Sequence, residues 1–182
     1  MRDWAQQVRG ARGGKALEQA LSSLRAPMPR WADEPFDAIV SLNLLGQIPL
    51  YWRDLIRKRF AALSDGEEAA LAASMGELQR AHLEALLGSK ASTVILVTDS
   101  EYYFYEASET DWMVQEALFG SARELLLGQP VATRPPIARD TWLWHLAPQF
   151  VEHDEEGEIH KVEALAWGTL VTVSKNHAPC DN

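Results

Sequence analysis

Apolar residues near the amino terminus fall at three- and four-residue intervals: Trp4, Val8 and Ala11, then Leu17, Leu21 and Leu24. This is the period of an amphipathic helix, expected from about Asp3 to Leu24. Gly10, Gly13 and Gly14 interrupt it, and since each interior glycine costs a helix about 1 kcal/mol relative to alanine, a break is expected there. Pro27, Pro29 and Pro35 then impose an extended connection. Phe36 to Leu42, FDAIVSL, is a short apolar run with β-branched residues at its centre, the pattern of a strand buried on both faces between helices. Pro49 suits the first turn of a following helix, which Tyr51, Leu55 and Ile56 carry towards Leu63. Ser64 with Glu67 spells a capping box, so a second helix is expected from Asp65 to Leu87, ending at Gly88.

Ser92 to Thr98, STVILVT, is the strongest strand pattern in the chain and belongs at a sheet centre, ending at Asp99. A loop containing Tyr102 to Tyr105 follows, and then Trp112 to Leu127, where Val114, Leu118 and Leu125 predict a helix closed by Gly128. Thr141 to Ala147 alternates, with Trp142, Trp144 and Leu146 on one face, and His160 to Val173 is a last long strand. The polar turn EHDEEGE between them makes an antiparallel hairpin. The two earlier strands, separated by helices, are expected to pair in parallel. The fold expected is therefore α/β, with residues 1–30 a helical segment, residues 31–174 the α/β domain and residues 175–182 a tail.

A chain of 182 residues supports one domain with a substantial core. No apolar run is long enough to span a bilayer, and the amino terminus lacks the apolar segment of a secretory signal, so a cytoplasmic location is expected. The single cysteine, Cys180, allows neither an intrachain disulfide nor a cysteine-based zinc site within one chain. A net charge of −9 disfavours a nucleic-acid partner, because gripping a phosphate backbone takes many Lys and Arg. Arg53, Arg57, Lys58 and Arg59 read as a solvated helix face. A small molecule or a protein is the expected partner.

Candidate chemistry is sparse. His153, Asp154, Glu155, Glu156 and His160 have metal-binding side chains, but a polar turn explains the same residues, and no metal is expected. No serine lies in a G-x-S-x-G elbow. Trp142, Trp144 and Trp167 read as core, and His145, on the face opposite the first two, is an isolated candidate base. Asp99 and Glu101 stand at the carboxyl end of the strongest strand, where ligands of open α/β sheets bind.

The order strand, helices, strand, helix and closing hairpin, with FDAIVSLNLLGQIP at the first strand, resembles the second half of the class I S-adenosylmethionine-dependent methyltransferase fold over about Ala32 to Val173. The resemblance implies a partial Rossmann-like sheet with parallel central strands and a C-terminal antiparallel hairpin. It implies S-adenosylmethionine as cofactor, bordered by Ser41, Asn43, Leu44 and Gln47, with Asp99, Glu101 and Tyr103 facing a methyl acceptor. No metal is needed, and alignment of the acceptor with the sulfonium methyl carries much of such a reaction. The chain departs from the family in one respect: neither the family's glycine-rich turn nor its acidic second-strand residue precedes Phe36. GARGGK follows no strand and also fails as a phosphate loop, since Arg9 and Ala16 occupy a glycine and a hydroxyl position. The alternative is a noncatalytic interaction module, truncated relative to that fold, whose exposed sheet edge pairs with a second copy or a complementary subunit. A coding start displaced downstream would leave the same gap.

Overall fold

The computed structural model describes residues 2–26, 29–60, 62–106, 112–127, 135–147 and 156–168. The glycine break behaves as its backbone entropy requires: α1 (Arg2–Gly10) and α2 (Lys15–Ser22) are separate helices. A 3₁₀ turn, Arg30–Asp33, leads into β1 (Ala38–Leu42). Next come α3 (Leu44–Arg59), α4 (Asp65–Leu87), β2 (Thr93–Glu106), β3 (Met113–Glu116), α5 (Gly120–Leu127), β4 (Ala138–Ala147) and β5 (Glu156–Gly168).

The fold is α/β with a mixed sheet in the order β1-β2-β5-β4. β1 runs parallel to the first half of β2, from Ala38 beside Thr93 to Leu42 beside Val97. β3 pairs antiparallel with the second half of β2, so β1 and β3 share one side of the same long strand. β5 lies antiparallel along the other side of β2, and β4 antiparallel to β5. One core forms where Val94, Leu96, Leu165 and Trp167 meet Leu83 and Leu86 of α4 and Leu118, Ala122 and Leu126 in and before α5. A second, all-helical core joins Val8, Leu17, Leu21 and Leu24 to Ile56, Leu71, Met75 and Leu78. The amino-terminal helices are thus spent on α3 and α4.

Several sequence expectations hold. α4 spans Asp65–Leu87 as expected, and the Ser64–Glu67 capping box closes in both directions. Glu67 also accepts the Gly14 amide at 2.6 Å, which ties the glycine break to α4. Its hydrogen bonds, first from the Ser64 backbone, hold its carboxyl below the usual range.

Other expectations are corrected. β1 is not buried on both faces: among the described residues it is an edge strand, with Val40 54% and Leu42 64% exposed. A short apolar run does not distinguish an edge from a centre. Pro49 is not in the first turn of α3 but inside it, because the helix begins at Leu44. Its ring removes the N–H that would bond the Leu45 carbonyl, and Gln79 of α4 supplies the missing donor, Nε2 to the Leu45 oxygen at 2.9 Å. β2 does not end at Thr98. A bulge at Ser100 carries it on to Glu106, so Asp99 to Tyr105 is strand and not loop. The helix expected over Trp112 to Leu127 is half strand, since Met113–Glu116 pairs with that extension of β2 and only Gly120–Leu127 is helical. The last strand begins at Glu156, and residues 169–173 and the tail lie outside the described residues.

The tryptophans divide. Trp167 is core, whereas Trp142 and Trp144 are exposed. Register places both on the face that also carries Val40, Leu42, Ile95 and Val97, and Ile95 and Val97 are only half-buried although β2 is central. The α4–α5 layer covers the opposite face.

Candidate functional site

The carboxyl ends of the parallel pair meet at Asn43. It is the one non-glycine residue with positive φ among those described (φ 51°), a conformation Asn tolerates better than most. Its N–H bonds the Val97 carbonyl at 2.7 Å, and its carbonyl accepts from Gln47 to start α3. Its Oδ1 turns back towards the Asp99 amide at 3.5 Å. The chain then passes Gly46, where an added Cβ would sit 3.2 Å from the Tyr102 hydroxyl. A side chain at this position would press that hydroxyl aside.

Behind this turn lies a buried polar chain. Asp99 is 2% exposed, and its Oδ2 lies 3.3 Å from His160 Nδ1 and 3.5 Å from the Tyr102 hydroxyl. His160 Nε2 in turn lies 2.7 Å from Glu158 Oε1. The imidazole therefore faces a carboxylate at each nitrogen, and it donates to both only when it carries both protons. Tyr102 meets His160 edge to face, with ring centroids 4.6 Å apart. Burial first, and then the Asp99 charge, push the Tyr102 phenol well above its ordinary value, so it stays a neutral donor. The Ser100 bulge builds this cluster. It shifts the register between Asp99–Val162 and Glu101–Lys161, which brings Asp99 and Tyr102 to the same side of the sheet.

Glu101 and Tyr103 lie on the other face. The Tyr103 hydroxyl donates to the Glu101 carboxylate, and Lys161 Nζ lies 3.1 Å from it. The Tyr103 bond is the main reason the Glu101 carboxyl sits below its usual range, and the same bond raises the Tyr103 phenol. Of the three acceptor-side residues expected from sequence, Asp99 is thus separated from the other two by the thickness of the sheet.

The expected cofactor residues are also divided. Ser41 is buried, its Oγ 2.9 Å from His82 Nε2, and the same ring meets Trp31 edge to face. Burial lowers the His82 pKa below its ordinary value. Leu44 and Gln47 are exposed. An open cleft of about 330 Å³ follows the β1 edge past Trp31, Phe36, Val40 and Leu44 to Ser41. Asn43 joins the cofactor-side and acceptor-side groups, through the Asp99 amide.

Sequence reasoning passed over Gly46 and Glu158 as site residues, took Tyr102 only as one of the aromatic rings of the Asp99 to Tyr105 segment, and considered His160 only as a metal ligand. Their signal was the β2–β5 register, which alternation alone does not disclose. His153, Asp154, Glu155 and Cys180 lie outside the described residues. Among the described residues no group of three or more His, Cys, Asp or Glu is placed to hold a metal ion, and no helix is long and apolar enough to cross a membrane. Comparison with protein-family models, curated proteins and solved structures finds no match to this chain.

Proposed function

We propose that the chain is a noncatalytic interaction module, built like the second half of a methyltransferase domain, that joins another polypeptide through the edge of β1. The observation that carries this reading is that edge: a parallel strand with no described neighbour on its outer side and with exposed Val40 and Leu42. An unpaired strand edge presents a row of free N–H and C=O groups, a ready template for pairing with another chain. The groups that would border S-adenosylmethionine are also committed within the fold, Ser41 to His82 and Asn43 to the Asp99 amide.

A second reading is methyltransferase activity. Two features favour it: the order of elements, and the convergence of Asn43, Gly46, Asp99 and Tyr102 at the carboxyl ends of the parallel strands, where such sheets bind ligands. The acceptor would then lie over the Asp99–Tyr102 cluster, with catalysis resting on alignment.

Titration calorimetry with S-adenosylmethionine and with its demethylated product separates the two readings. The interaction reading expects no saturable heat from either compound at high protein concentration. Saturable heat from both, weakened by Asn43→Ala, overturns it in favour of the enzyme.

A further inference from the structure

The edge of β1 also identifies its occupant. The Thr93 N–H bonds the Asp37 carbonyl at 3.1 Å, and the Asn43 N–H bonds the Val97 carbonyl at 2.7 Å. In a parallel ladder this turns the backbone groups of alternate residues, Ile39 and Ser41 among them, towards β2. The N–H and C=O groups of Ala38, Val40 and Leu42 therefore point outward, where no described strand receives them. The strand carries no charged residue, proline or bulge, the features by which natural edges avoid pairing. The open cleft lined by Trp31, Phe36, Val40 and Leu44 runs along the same edge.

We infer that β1 pairs antiparallel with β1 of a second copy of this chain, about a twofold axis at Val40. This rests on the interaction reading above and specifies its partner. The five residues are self-complementary in that register: Val40 faces its own mate, and small Ala38 faces large Leu42 on both sides of the axis. All three outward residues then fall in hydrogen-bonded positions, which yields about six main-chain bonds, two for each facing pair. Ile39 and Ser41 face each other in the intervening non-hydrogen-bonded positions, on the helix-covered side. The strand brought to the axis carries no charge, so the contact itself adds no like-charge pair to the repulsion between two chains of net charge −9. The result is one continuous sheet through both copies, an isologous contact of the commonest kind.

Sedimentation or light scattering of the full chain at high micromolar concentration tests the inference. The expected mass is twice the 20.3 kDa of one chain, and Val40→Lys, which sets two cations face to face on the axis, is expected to halve it without changing the circular dichroism. A cross-link gives a second readout should that variant fold poorly. In a Cys180→Ser background, Val40→Cys places two thiols on facing residues whose Cα atoms are about 5.5 Å apart, so a short bismaleimide joins the chains. Leu143→Cys, exposed on β4, serves as the control and stays unlinked. A 20.3 kDa particle at that concentration overturns the inference, as does a dimer that Val40→Lys leaves intact. Either result leaves the calorimetric test of the interaction reading to stand on its own.

Discussion

At the scale of single residues, Gln79 joins α4 to two other segments through three backbone groups. It is 1% exposed, and its amide donates to the Leu45 and Ala117 carbonyls and accepts from the Phe119 N–H at 2.8 Å. Gln79→Leu keeps the volume and strands all three backbone groups in the core. A loss of about 3 kcal/mol or more is expected, measured by urea unfolding, since each buried unpaired group costs about 1–3 kcal/mol. His82 makes a different prediction. Its folded pKa is depressed by burial, so below 6.5 the unfolded chain takes up a proton that the folded ring declines. Stability is therefore complete above 6.5 and falls as pH drops towards the folded pKa. His82→Gln should flatten this acid limb in denaturation midpoints taken across that range, and an unchanged limb would refute the assignment. Neither role was legible in the sequence. The Ser64–Glu67 cap was, because its partners are three residues apart, whereas Gln79 and His82 act on groups 34 to 41 positions away.

Among elements, the close approach of α4 to the chain entering α5 sets a limit that can be measured. A Cβ on Gly76 would stand 2.9 Å from the Phe119 carbonyl oxygen, which is backbone and cannot swing aside. Gly76→Ala is expected to lower stability by about 1–3 kcal/mol through overpacking, even though alanine favours the helix by about 1 kcal/mol. A rise in the thermal midpoint would show that α5 yields. Elements whose evidence is local were read well: α4 from its cap and length, the helix break from three glycines, and the β4–β5 hairpin from alternation and a polar turn. Elements defined by their neighbours were not. Met113–Glu116 has helix-compatible spacing, yet it becomes a strand because β2 runs past its bulge and offers a free side. The FDAIVSL run was recognised as a strand, but its place at an edge depends on what lies beside it. The same dependence hid the candidate site, in which Asp99 was visible as a strand end and His160 was not.

For the whole molecule, the acidic charge and the uncharged edge together set the sign of the salt effect. Two copies of net charge −9 repel at long range, whereas the β1 contact contains no ion pair to weaken. Raising ionic strength from 0.01 to 0.15 M shortens the screening length from about 30 to about 8 Å, so association should tighten. Sedimentation equilibrium at the two salt concentrations checks this, and a dimer that loosens in salt would point to a contact made by charged groups elsewhere.

The proline inside α3 has a consequence in time as well as in energy. Because Pro49 cannot supply the donor its helix needs, α3 can form its first turns alone but closes them only when α4 arrives carrying Gln79. The two helices are thus bound to one order of events, with α4, capped at its own start, as the template and α3 as the follower. A chain caught early in refolding should show amides protected in α4 before they are protected around Leu45.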